Sequence, residues 1–213
     1  MEHSLVAGRG CGDCNVCCEA LTIDEPTLRK PQGILCPNAR PDHSCGIYDV
    51  RPQTCRDFYC GWRRFNWVPE PLRPDRSGVL LRPHWSKPSG DDPARLGVAI
   101  TLLTVASLQA EGLAEVIATA VAGGVPTFLQ VPGPPGHTAA IAQINESIAG
   151  AVQRRDKPAI LDFLGKARAE AASGTFAPIV LAPAVAGTDS AADGCAATGL
   201  AEADKGTSGT ASS

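Results

Sequence analysis

Apolar positions keep no steady period over residues 1–62, where turn formers such as Gly10, Gly12, Pro31, Gly33, Pro37, Pro41 and Pro52 interrupt every run. From Gly78 the pattern becomes regular. Residues 78–82 and 98–105 are aliphatic, β-branched runs that predict strands, with a polar, proline-rich loop at 83–93 between them. Leu108, Leu113, Val116, Ile117, Ala120 and Val121 then recur at helical spacing, and Gly123-Gly124 predicts the end of that helix. Residues 127–131 read as a short strand. After a Pro-Gly-Pro-Pro-Gly loop, Thr138 is placed to cap a helix with Ile141, Ile144, Ile148 and Val152 on one face. Asp156 with Pro158 opens another, its Ile160, Leu161, Leu164 and Ala167 facing inward.

Ordering a backbone costs about 1–2 kcal/mol per residue, and the first sixty residues have little apolar surface to set against it. Something other than a hydrophobic core must hold them. Cysteine supplies the means: of nine in 213 residues, eight fall between Cys11 and Cys60, and only Cys195 lies outside. The expected fold class is therefore α+β. A small loop-rich, metal-stapled head (1–62) precedes an α+β body (63–183) of about three strands with packed helices. Residues 184–213, nearly all Ala, Gly, Thr, Ser and Asp, are expected to form a disordered tail.

The head reads Cys11-x2-Cys14-x2-Cys17-Cys18, then Cys36, Cys45, Cys55 and Cys60. A C-x2-C step on a turn lets two sulfurs converge on one ion at about 2.3 Å, and eight thiolates match two tetrahedral sites of four. Adjacent residues point in different directions, so Cys17 and Cys18 are expected to feed two centres, or one cluster with bridging thiolates. All-thiolate ligation suits a closed structural zinc site; iron, bare or as an iron–sulfur cluster, accepts the same donors. Cys11, Cys14 and Cys17 match the first three positions of a ferredoxin-type run, with Cys36-Pro37 as a remote fourth, while Leu21 stands where the local fourth cysteine belongs. The structural alternative is a disulfide framework, against which stand the adjacent cysteines and an N-terminus without an apolar leader. That N-terminus makes a cytoplasmic location the expectation.

The run Cys11-Gly-Asp-Cys14-Asn-Val-Cys17-Cys18, the step Cys36-Pro37, and Cys45-Gly-Ile-Tyr48-Asp-Val-Arg51-Pro52-Gln-Thr-Cys55-Arg-Asp-Phe58-Tyr-Cys60 together resemble the CxxCxxCC, or YkgJ-type, cysteine-cluster family, described as a zinc- or iron-chelating domain. The resemblance covers residues 11–60 and implies metal chelation without a reaction. A related cluster occurs in flagellin lysine-N-methylases, but residues 61–183 carry nothing that matches that enzyme. Tyr48, Arg51 and Phe58 fit the signature, the aromatics expected to pack the small core and the guanidinium to support the thiolates.

Seven basic and three acidic residues lie between Arg56 and Lys87, interleaved with Trp62, Phe65, Trp67 and Trp85, a combination that can hold single-stranded nucleic acid. The favoured account has the aromatics cementing head to body and the arginines solvated, because no recognised nucleic-acid fold accompanies them and the net charge is −3. An iron–sulfur or dithiol oxidoreductase is the rival function. His43, two residues before Cys45, is a candidate extra ligand, whereas His84 and His137 are expected in loops without partners. No uncharged stretch is long and unbroken enough to predict a membrane span, so the expected partner is a metal ion. No catalytic motif is found.

Overall fold

The computed structural model describes residues 5–86 and 93–182. The architecture is α+β. In the cysteine-rich segment, α1 (Val16–Ala20) leads into a small antiparallel ribbon of β1 (Ile23–Glu25) and β2 (Leu28–Lys30), in register Ile23↔Lys30. Alternation puts Leu28 and Lys30 on one side of β2, both buried. Ile23, Leu28 and Cys36 form a small core with Cys18, Ala39 and Cys55 packed against it. A 3-10 turn at Tyr48–Val50 precedes two short helices, α2 (Gln53–Asp57) and α3 (Gly61–Arg64). None of these elements was legible from periodicity, because each is shorter than the window a period needs.

The body holds a four-stranded sheet of order β3-β4-β5-β6, one strand more than expected. After α4 (Pro74–Ser77) come β3 (Val79–Trp85), β4 (Leu96–Leu102), β5 (Thr127–Val131) and β6 (Ala140–Gln143). β4 and β5 are parallel and the outer pairs antiparallel. The expected loop at 83–93 gives up its first three residues to β3, where Pro83 pairs with Val98. Proline is tolerated there because β3 is an edge strand and its missing N–H breaks no ladder on the open side.

Between β4 and β5, a 3-10 turn (Ala106–Gln109) and α5 (Leu113–Ala122) replace the single helix expected from Leu108. Gly112, at φ +84, breaks the continuity. The larger correction lies at 138–144. The helix expected from Thr138 begins only with α6 (Asn145–Gln153), and Ile141 belongs to the edge strand β6. The Asn145 side chain fixes this start: its Oδ1 accepts from Thr127 N at 2.7 Å and its Nδ2 donates to Val125 O at 2.8 Å, tying α6 to the entry of β5. α7 (Lys157–Ala172) matches expectation, with Asp156 Oδ1 accepting from Ala159 N at 3.0 Å.

Strand alternation sorts the sheet into two unlike faces. Val79, Leu81, Val98, Ile100, Leu102, Leu129 and Val131 meet Leu113, Val116, Ile117, Ile148, Ile160 and Leu164 of α5 to α7 in the main core. The other face carries Leu80, Arg82 and His84 of β3, Ala99 and Thr101 of β4, and Phe128 and Gln130 of β5. Parts of the cysteine-rich segment border it. The described residues cluster as one compact unit. Trp62, buried in the main core, joins segment to body, with Phe65 and Trp67 stacked at 5.4 Å beside it. The expected tail at 184–213, with Cys195, lies outside the described residues. Among those described, no helix is long and apolar enough to cross a membrane.

Candidate metal centre

Short turns and short helices deliver the thiols. Cys14 N donates to Cys11 O at 2.9 Å, closing the first C-x2-C turn, and Cys17 and Cys18 sit in α1. Cys36 is tied back to that helix by a 2.9 Å bond from its N–H to Cys18 O. Cys45 bridges to Ala39, Cys55 lies in α2, and Cys60 precedes α3, where the N–H groups of Trp62 and Arg63 reach its sulfur. Among the described residues, none of the eight is in a disulfide.

One cavity of about 260 Å³ is lined by Cys11, Cys14, Cys17, Cys18, Cys36, Cys45 and Cys55. Cys60 is close enough to Cys11 and Cys14 for their charges to interact. Such charge effects also link the other thiols. Cys17 feels Cys11 and Cys14, whereas Cys55 feels Cys18, Cys36 and Cys45. Cys11, Cys14, Cys17 and Cys60 are linked in this way, as are Cys18, Cys36, Cys45 and Cys55, and the adjacent pair Cys17–Cys18 joins the one set to the other. There the Cys17 thiol donates to the Cys18 sulfur, which drives Cys17 up and, with help from Lys30, brings Cys18 down to about 7. Burial pushes Cys14, Cys55 and Cys60 up.

Cations surround the thiols. Arg63 Nη1 donates to Cys11 Sγ at 3.5 Å, and the charge of Arg73 acts on Cys14. Arg51 stands near Cys45 and 4.0 Å above the Tyr48 ring. Lys30, only 2% exposed, donates from Nζ to Glu19 O at 3.2 Å, Pro31 O at 3.1 Å and Leu21 O. Burial lowers its pKa, opposed by the charges of Cys36, Cys18, Cys17 and Cys55. This lysine escaped the sequence reading, since Leu28-Arg29-Lys30 resembles a solvated charge run. The signal that could have found it is the period of two, which places Lys30 beside the buried Leu28.

Several expectations need correction. Tyr48 does not pack the small core; it is 59% exposed and pairs with Arg51. Phe58 is half-buried on the cavity wall. Arg63 and Arg64 are half-buried rather than solvated: Arg63 Nε donates to Arg9 O at 3.0 Å and Arg64 Nε to Tyr59 O at 3.0 Å, because loop carbonyls without a ladder need donors. His84 lies in β3 with its ring 4.6 Å from that of Phe128, edge to face, and His137 Nδ1 is 3.1 Å from Pro135 O. His43 lines the thiol cavity, exposed and at φ +64.

Thiolate donors and flanking cations fit a soft metal ion by type. By placement the thiols gather without closing on a point: among the described residues, no group of three or more His, Cys, Asp or Glu is positioned to hold an ion. No protein-family model, curated protein or solved structure matches this chain.

Proposed function

We propose that the chain is a metal-binding protein that chelates zinc or iron through Cys11, Cys14, Cys17, Cys18, Cys36, Cys45, Cys55 and Cys60. The observation that carries the reading is the gathering of seven of these thiols around one cavity, with Cys60 beside Cys11 and Cys14, without disulfides, from turns spread over fifty residues. Burial and mutual repulsion oppose ionisation of Cys14, Cys17, Cys55 and Cys60, and a divalent ion removes that conflict by taking the place of the protons. The mutual charge effects support two four-thiolate centres that abut at Cys17 and Cys18. Arg51, Arg63, Arg73 and Lys30 would offset the net negative charge of such centres. The likeness of residues 11–60 to the CxxCxxCC cysteine-cluster proteins agrees with this assignment, and a cytoplasmic setting would keep the thiols reduced.

A second reading, a dithiol or iron–sulfur oxidoreductase, draws on Cys18, whose thiolate is favoured near neutral pH beside the Cys17 thiol. Anaerobic purification, elemental analysis and a visible spectrum separate the readings. Zinc with no visible absorbance supports a thiolate zinc protein, and iron with sulfide and a brown colour supports a cluster. Metal-free protein with its cysteines oxidised in pairs would overturn chelation.

A further inference from the structure

The second sheet face holds an arginine without a counter-charge. Arg82 is half-buried on β3, and its Nε and Nη2 donate to Gln130 Oε1 at 3.1 and 2.6 Å. Thr101 Oγ1 donates to the same oxygen at 3.3 Å. A glutamate at 130 would neutralise the guanidinium; the glutamine orients it and leaves the charge in place. Among the described residues no carboxylate pairs with Arg82, and none accepts from its Nη1 or from Gln130 Nε2. Burial alone acts on the Arg82 pKa, downward, which is the behaviour of a cation with no anion near it. Partial burial of an unpaired charge is costly, and arginine does not escape it by losing its proton at ordinary pH.

That charge opens on a groove of about 460 Å³, a size typical of small-molecule sites, between the sheet face and residues 20–22, Thr54 and residues 57–59. Arg64 brings a second guanidinium, held by Tyr59 O and Asp57 O. Thr22 adds a hydroxyl, and the one carboxylate on the lining, Asp57, accepts from Gln53 Nε2 at 2.7 Å. Leu21, Thr54, Phe58 and Tyr59 border both this groove and the thiol cavity.

We propose that this groove binds a small molecule through an oxyanion group, a carboxylate or a phosphate, taken by Arg82 and Gln130. A forked guanidinium beside a primary amide presents parallel N–H donors, the arrangement that suits such groups. Glutamine in place of a carboxylate keeps the site net positive until the ligand arrives. The site does not depend on the metal reading, since neither Arg82 nor Gln130 lies on the thiol cavity.

The test is an NMR titration of the full labelled chain with sodium acetate and, separately, sodium phosphate, against sodium chloride at matched ionic strength. Expected are saturable shifts of the Gln130 side-chain amide and the His84 ring at millimolar ligand, at least about tenfold weaker binding in Arg82→Gln, and unchanged binding in the exposed-site control Arg76→Gln. Preference for acetate assigns a carboxylate ligand, preference for phosphate a phosphorylated one. Absence of saturable shifts with both ions in the wild type, or shifts equal to those from chloride, overturns the site whatever the variants do. So does equal affinity in folded Arg82→Gln. If that variant does not fold, Arg82→Lys, which keeps the charge and loses the fork, must bind more weakly for the proposal to stand.

Discussion

Lys30→Met should unfasten the cysteine-rich segment. The substitution keeps a flexible apolar chain of similar length and removes an ammonium that satisfies three carbonyls, those of Glu19, Leu21 and Pro31. A hydrogen bond to a charged group nets about 1.5–3 kcal/mol, so the three together are worth roughly 4–9 kcal/mol. Relief from burying the ammonium returns several kcal/mol. The remainder, a loss of about 2–4 kcal/mol, keeps its sign because three partly buried carbonyls lose their donor. For a unit of this size that corresponds to a fall in Tm of roughly 5–15 °C. Urea denaturation of the reduced chain as purified anaerobically, with its metal retained, followed by circular dichroism and tryptophan fluorescence, gives the number, and limited proteolysis should find residues 16–36 cleaved first. A variant within about 0.5 kcal/mol of wild type would show that Lys30 is tolerated rather than structural, and the reasoning would fail.

Two further expectations concern the body. Gly97→Ala should destabilise by about 1–3 kcal/mol or more in urea titrations, because a Cβ on β4 would overlap the Pro126 carbonyl oxygen and stand 2.7 Å from Pro126 Cβ, where β4 and β5 meet; unchanged stability would contradict that close approach. His84 should titrate below its usual 6.5, lowered by burial first and by the Arg82 charge second, and Arg82→Gln should raise it partway back. Since the unfolded chain then takes up this proton first, the stability tied to neutral His84 is intact above pH 6.5 and drains as pH falls from there toward the folded value. An NMR titration of the ring showing His84 at or above 6.5 refutes it.

Periodicity revealed the elements long enough to repeat. β5 and α7 appear as expected, since Thr127–Val131 is a bounded β-branched run and Asp156-Lys-Pro158 carries both cap and first-turn proline. Residues 138–144 misled because Ile141, Ile144 and Ile148 share helical spacing while Ile141 pairs with Gln130 across an edge; only the long-range bonds of Asn145 decide the boundary. β3 outran its expected end because edge position, which excuses Pro83, is a property of the sheet and not of the strand. At the site, the eight head cysteines and their C-x2-C turn were legible as a group. Which of them neighbour one another was not, for that depends on how Cys60 returns to Cys11 and Cys14, and Cys55 to Cys18 and Cys36, across the segment. Arg82 was hidden because its role comes from Gln130 and a groove wall distant in the chain, whereas Lys30 was open to the period-of-two reading that sets it beside Leu28.

The central claim is chelation by two four-thiolate groups, and the metal-to-protein ratio of anaerobically purified, reduced protein tests it most directly. Wild type and Cys195→Ser should each carry about two ions. Cys60→Ser and Cys55→Ser, each depriving a different group of one soft donor, should each retain about one. Wild-type protein without zinc or iron, or a full complement of metal in either single variant, would contradict the account.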